Sequence, residues 1–292
     1  MYLTGFADEA SQNIDLQIKV TKELGWENIE SRNINGKNIH DISDEEFDIV
    51  YGKLQDAGVK INCFGSAIAN WGKKITEPFD SSLEEAKRAI PRMQKLGTKL
   101  IRVMSFAVNY DAPATKEGQM FDERVRRLKT LKDMFDDAGI TMVHENCMNY
   151  GGMGWAFTLD LIEAIPGLKL VFDTGNPVFT KNYMQTDRDV MQDAWEFYSH
   201  VKQHIEYIHI KDGYRCDGYT VYTYPNIGKG YVKEILTDLI KSGYDGGISI
   251  EPHVQTVFHD QENKSAGEAD KYNAYFCYGT MLNQLVKMIK NQ

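Results

Sequence analysis

The sequence predicts an α/β fold, a single (β/α)8 or TIM barrel, and three observations carry that prediction. Eight short apolar runs alternate with eight longer amphipathic stretches along the whole chain. No linker rich in Pro, Gly or Ser divides it, so residues 1–292 read as one domain. Nothing resembling G-x-G-x-x-G follows the first apolar run, which counts against the runner-up, a doubly wound open sheet.

Each element has a local reason. Tyr2–Phe6 is the first strand, and a helix from about Ser11 sets Ile14, Ile18 and Leu24 on one face before Gly25 stops it. Asn28–Ser31 follows, then a helix opened by the capping box Ser43-Asp-Glu-Glu46, with Phe47, Val50 and Leu54 as its buried stripe. Val59–Phe64 is the third strand. A second box, Ser82-Leu-Glu-Glu85, opens a helix that Gly97 closes and that Pro91 should kink. The remaining strands are Leu100–Met104, Ile140–Glu145, Leu168–Asp173, Ile205–Lys211 and Gly247–Glu251. The helices between them are Asp122–Ala138, Thr158–Ile165, about Asp187 to His204, Tyr231–Lys241 and Lys271–Lys290. Two strand-to-helix loops, 213–230 and 253–270, exceed the usual ~2–6 residues and are expected to extend over a site at the barrel mouth.

Composition narrows the function. Lys+Arg 33 against Asp+Glu 42 gives a net charge of −9, which repels phosphate backbones and makes nucleic acid a poor partner. No run of ~18 apolar residues crosses a membrane. The first ten residues carry neither a basic n-region nor a long apolar h-region, so no secretory signal is expected. Cys63, Cys147, Cys216 and Cys277 are far apart and read as free thiols in a reducing compartment. A cytoplasmic protein is expected. The final helix, rich in Tyr, Phe and Met, leaves a homo-oligomer open, although packing on its own barrel is the simpler use.

Barrel active sites form where strands end. Strands five to eight end in Glu145, Asp173, His209 and Glu251, four residues of metal-ligand type in succession. Three carboxylates converging in a low dielectric repel one another, and a divalent cation relieves that cost. A lone carboxylate at a strand end is more often a cap or a salt-bridge partner, and a lone histidine a core residue; four in a row weigh against that. Side chains alternate, so Lys211 shares a face with His209, and His253 with Glu251. Lys211 suits either an oxyanion or the balance of the carboxylates, and Asp212 suits a cap. Glu30 and Arg32 suggest a salt bridge closing the ring. Arg102 on strand four and Arg215 in the seventh loop each suit a bidentate grip on a carboxylate or phosphate, although Arg102, its strand face not fixed, reads better as a solvated surface residue. Phe64 and Trp71 near strand three, with Tyr214, Tyr219, Tyr222 and Tyr224, offer faces for a sugar or packing for a loop.

The chain resembles the xylose isomerase-like barrels, the sugar phosphate isomerases and epimerases. The likeness runs from Gly25-Trp-Glu-Asn-Ile-Glu30 through Ile250-Glu-Pro-His253. Its specific pieces are His144-Glu-Asn146, Phe172-Asp-Thr-Gly-Asn176, Ile208-His-Ile-Lys-Asp-Gly213, Gly228-Lys-Gly230 and Ser249-Ile-Glu-Pro252. The resemblance implies one divalent ion (manganese, magnesium, cobalt or zinc) on Glu145, Asp173, His209 and Glu251, with Glu145 and Glu251 also moving protons on a ketose. It implies a substrate-binding role for Arg215, which stands six residues after the metal histidine as in the ketose epimerases. Lys211, His253, Asn176 and Trp71 complete the expected substrate contacts. The chain departs from those epimerases at Asn176, where they have histidine, and at Gly151, where they have glutamate, so substrate oxygens are met differently. Related endonucleases use a histidine-rich three-metal cluster, which seven scattered histidines and the acidic charge do not favour. A small carbohydrate is the expected partner. A lyase using the same metal and base, and a non-catalytic sugar-binding barrel, stay open.

Overall fold

The computed structural model describes residues 1–186, 189–255 and 267–291. Its barrel strands are β1 (Tyr2–Gly5), β2 (Asn28–Ser31), β3 (Lys60–Gly65), β4 (Leu100–Val103), β5 (Thr141–Glu145), β6 (Lys169–Asp173), β7 (Ile205–Ile210) and β8 (Gly247–Ile250). All pair in parallel in the order β1-β8-β7-β6-β5-β4-β3-β2. A bridge from Phe6 to Glu30 joins the two ends. The sheet is therefore a nearly closed barrel and not an open one.

The helices are α1 (Ile14–Glu23), α2 (Asp44–Ala57), α3 (Asp80–Leu96), α4 (Phe121–Asp137), α5 (Trp155–Ala164), α6 (Ala194–Val201), α7 (Val232–Lys241) and α8 (Glu268–Lys290). Ser43 caps α2 as its motif requires, its Oγ accepting the Glu46 N–H at 3.1 Å. The second box fails, because α3 begins at Asp80 and encloses Ser82, buried inside the first turn. α5 starts three residues before the expected Thr158. α6 is shorter than expected: Asp193 caps it at Glu196 N, and the expected start at Asp187 lies outside the described residues. α8 packs on its own barrel, with Asn283 accepting from Trp26 Nε1 at 2.9 Å and donating to Leu24 O. Gly279 permits that approach, since a Cβ there would sit 2.6 Å from Leu24. Among the described residues no helix is long and apolar enough to cross a membrane.

Strand alternation sorts the side chains into two sets. Met142, Leu170, Phe172, Ile208, Ile210, Ile248 and Ile250 face the helices in the large core. Cys63, Val143, Val171 and Tyr207 form a separate layer inside the barrel, with Leu100 against it. Two residues beyond Val143, Val171 and Tyr207 come Glu145, Asp173 and His209, which therefore point into the barrel above that layer. The same rule turns His144 outward, where its Nε2 meets Ser105 Oγ at 3.0 Å.

Outside the barrel axis, His40 is fully buried, and among the described residues neither ring nitrogen makes a hydrogen bond, with Asp41 Oδ2 standing 3.4 Å from Nε2. Burial lowers its pKa to about 4, Arg88, Lys73 and Arg92 adding to that and Asp41 opposing. Below about pH 6.5 the unfolded ring takes a proton that the folded ring refuses until pH 4. Stability from this site is thus complete above pH 6.5 and is lost as pH falls, by on the order of 2 kcal/mol at pH 5. Urea midpoints at pH 7.5 and 5 should show that loss shrinking in His40→Leu; an equal loss in both proteins would rule it out.

Candidate metal centre

At the mouth, one ligand atom from each of Glu145, Asp173, His209 and Glu251 lies within 4.8 Å of the other three. His209 Nδ1 stands 3.4 Å from Glu145 Oε1, 4.0 Å from Asp173 Oδ2 and 3.8 Å from Glu251 Oε2. All four residues are buried. Asp173 Oδ2, His209 Nδ1 and Glu251 Oε2 make no hydrogen bond among the described residues. Such atoms are costly to bury. Their spacing lies between the ~3.0–3.4 Å of neighbouring donors and the ~4.2 Å of opposite donors around one ion with ~2.1 Å bonds. The donor set, three hard carboxylates and one imidazole, fits a divalent cation.

The charges make the same point. Lys211 Nζ lies 3.0 Å from Asp173 Oδ2 and 2.7 Å from Glu251 Oε2, so a tethered ammonium balances two of the carboxylates. Burial opposes a charged His209, yet Glu30 and Glu145 outweigh it and raise the ring to about 10. Burial pushes Asp173 up to about 6 against Lys211, with Glu251 and Glu145 adding to the rise. Glu145 goes the other way: burial would raise it, but Arg102 and His209 bring it down to about 2. Glu251 is likewise held well below the usual carboxylate range, Lys211, His253, Arg32 and His209 overcoming burial. Lys211, Arg32, Arg102 and His253 all face the cluster.

Behind the four stands a supporting ring. Glu30 on β2 receives His209 Nε2 at 3.1 Å and Ser249 Oγ at 2.6 Å, which turns Nδ1 toward the carboxylates. Arg102 Nη1 donates to Glu145 Oε2 at 3.0 Å and Arg32 Nη1 to Glu251 Oε1 at 3.0 Å. Each glutamate thus has one oxygen pinned by arginine and the other aimed at the cluster. Arg102 is 5% exposed and not a surface residue; alternation from Leu100 carries it inward. Arg32 supplies the expected salt bridge closing the ring, reaching from β2 to Asp8 and Glu9 beyond β1 and to Glu251, while Glu30 pairs with His209. Replacing Glu30 by Gln should weaken divalent metal binding about 10–100-fold with the fold intact. Calorimetric titration with manganese checks this, and unchanged affinity would remove Glu30 from its orienting role.

A cleft of about 410 Å³ opens above the cluster, and Trp71, Asn176, Lys211, Arg215 and His253 all line it with Glu145 and Glu251. Asn176 bridges the machinery, receiving Lys211 Nζ at 3.2 Å and donating to Glu145 Oε1 at 3.3 Å. His253 adopts a φ of 52°, rare outside glycine, and its backbone N–H donates to Glu9 at 2.8 Å. That turn brings Nε2 to 3.6 Å from Glu251. A larger hollow of about 640 Å³ beside Asp193 and Tyr231 contains none of the four cluster residues.

Of the tyrosines in loop 213–230, Tyr222 lines the cleft, Tyr219 is exposed and Tyr224 packs on Tyr278. Phe64 is core. The loop carries an unexpected hairpin, Asp212–Cys216 with Tyr219–Thr223. Its signal was the Asp217-Gly218 pair, both at positive φ as a two-residue turn requires. Asp212 is the clamp beneath it, accepting from the backbone N–H of Gly213, Ile227, Gly228 and Gly230. The other long loop, 253–270, lies mostly outside the described residues. Gly151 has no room for a side chain, since a Cβ would lie 2.3 Å from His144. Glutamate could not stand there without repacking.

Comparison with known proteins follows the geometry. Three solved structures share the fold across nearly their full length. A D-tagatose 3-epimerase-like protein has a TM-score of 0.71 at 16% identity, over 100% of this chain and 99% of its own. The D-psicose 3-epimerase of Clostridium cellulolyticum H10, determined with D-tagatose, has a TM-score of 0.69 at 16% identity, over 99% of each chain. A xylose isomerase-like TIM barrel protein from Mycobacterium smegmatis, in complex with magnesium, has a TM-score of 0.65 at 15% identity, over 98% of this chain and 97% of its own. No curated protein matches by sequence. The xylose isomerase-like TIM barrel profile matches residues 18–272, and the chain belongs to that family.

Proposed function

We propose that this protein is a metal-dependent isomerase or epimerase of a sugar or sugar-like ketose, acting by proton transfer at the carbon beside a carbonyl. One observation carries the reading: three buried carboxylates and His209, balanced on the protein's side by Lys211, converge ligand atoms within 4.8 Å of one another at the floor of an open cleft. Glu145, Asp173, His209 and Glu251 would hold the ion, which supplies Lewis-acid polarisation of a carbonyl and its neighbouring hydroxyl. The solved neighbours that are sugar epimerases support a carbohydrate, and the magnesium complex supports a divalent ion.

The protein's own groups do the rest. Glu145 and Glu251 stand on β5 and β8 and both face the cleft, so one removes a proton and the other returns one. Lys211 and His253 steady negative charge on substrate oxygen, Asn176 positions Lys211 against Glu145, and Arg215 holds the far end of the substrate. Trp71 offers a face to the sugar C–H groups. Residues 1–292 form one domain in this reading, with loop 213–230 at the mouth.

The test is solvent deuterium incorporation into a panel of ketoses, D-tagatose, D-psicose and D-fructose among them, followed by NMR. Exchange that needs added divalent metal and stops with chelator is expected. An unsaturated product would instead identify a lyase, and ketose binding without any exchange a sugar-binding barrel.

A further inference from the structure

Beside the metal cluster stands a further buried carboxylate, Glu9, 3% exposed. It closes the short turn Ala7–Glu9 that follows β1, and β1 pairs with β8. Both of its oxygens meet His253, the second residue after Glu251. Oε2 accepts the His253 backbone N–H at 2.8 Å, and Oε1 stands 3.1 Å from the ring Nδ1. The first contact secures a turn at φ 52°, and the second fixes the ring within it. Tyr222 meets the same ring edge-on, with centroids 5.2 Å apart. The other ring nitrogen, Nε2, is 3.6 Å from Glu251 Oε1, and His253 lines the cleft. A histidine held by a carboxylate at one nitrogen presents the other in a fixed direction.

We infer that Glu9 is a positioning residue for the proposed reaction, setting the His253 ring so that Nε2 meets a substrate oxygen beside Glu251. This rests on the ketose reading above and adds a residue to it. A second ion is one competing use of these groups, since Glu9, Glu251 and His253 offer ligand atoms within 4.8 Å of one another. Arg32 weighs against it. Its Nη2 donates to Glu9 Oε1 at 3.2 Å and its Nη1 to Glu251 Oε1 at 3.0 Å, so a guanidinium already supplies positive charge there. The other competing use is a Glu9 that only braces Arg32, which leaves its contact with His253 Nδ1 without a purpose.

The experiment compares the full chain with Glu9→Gln, His253→Asn and the double variant; asparagine tolerates the positive φ. The probe is the fastest-exchanging ketose of the panel above, with saturating manganese. Glu9→Gln should lower kcat about ten-fold or more, with KM and manganese affinity held within about two-fold. The double variant should be no slower than His253→Asn alone. Additive losses, or weaker manganese binding in Glu9→Gln, would show Glu9 acting through Arg32 on Glu251 and overturn the inference. Two manganese ions per chain, one of them lost in Glu9→Gln, would overturn it in favour of a second ion site. NMR of the magnesium-loaded chain gives a readout free of turnover. His253 Nδ1 should carry a hydrogen with a far-downfield resonance, identified by its loss in His253→Asn and lost again in Glu9→Gln. If ketoses exchange but that resonance is missing from the parent, the ketose reading stands and this inference fails. If the resonance behaves as expected while no ketose exchanges, the ketose reading fails and Glu9 still sets the ring. Should Glu9→Gln not fold, the parent and His253→Asn spectra decide.

Discussion

Glu251→Gln should reduce exchange of the substrate C–H with deuterated water by about 10²–10⁴-fold, the usual contribution of a positioned proton-transfer group. The substitution keeps an oxygen at the same site but removes the proton acceptor and the negative charge that faces Lys211 at 2.7 Å. Arg32 Nη1, 3.0 Å from Glu251 Oε1, still has an amide oxygen to meet. Metal content must be measured alongside, at saturating manganese, because Glu251 is also a ligand in this reading. A variant that binds the ion, melts near the parent temperature and still exchanges at the full rate would sink the assignment. Loss of exchange with loss of metal would call for repeating the measurement with Glu145→Gln.

The barrel and the four converging residues were legible in the sequence because both rest on strong periodicity. Inward-facing positions recur every second residue, so polar residues at 145, 173 and 209 inherit the direction of Val143, Val171 and Tyr207. Arg102 obeys the same rule, since Leu100 two residues earlier faces the interior. Its charge argued for solvent, and that argument lost to strand geometry plus a carboxylate partner. The role of Glu30 was hidden for another reason. It depends on β2 and β7 meeting across the barrel interior, 179 positions apart in sequence. No local pattern encodes that distance. The hairpin in loop 213–230 and a second one, Asn33–Ile34 with Lys37–Asn38, carry their signal in Asp217-Gly218 and Asn35-Gly36, all four at positive φ. Helix starts were less so: Asp80 opens α3 with no side-chain cap, while the better motif two residues on is swallowed by the first turn.

Arg102→Met should be the most destabilising single charge removal at the mouth. Arg102 donates to Glu145 at 3.0 Å and to Ser66 O at 3.2 Å, with its guanidinium over the Phe6 ring. Methionine fills similar space but leaves Glu145 buried without its strongest counter-charge. Breaking such a pair from one side costs about 3–5 kcal/mol. At ~2 °C per kcal/mol for a chain of this size, Tm should fall by roughly 6–10 °C. The surface pair Arg88–Asp41, half exposed, supplies the control: Arg88→Met should move Tm by no more than about 1 °C. Metal decides what the loss means. A cation bound by Glu145 restores positive charge beside the stranded carboxylate, so saturating manganese should raise the Tm of Arg102→Met more than that of the parent protein. Equal shifts would show that Arg102 and the ion do not act on the same carboxylate. A variant as stable as the parent without metal would show that Glu145 needs no counter-charge, and the electrostatic case for a cation at this mouth would fall with it.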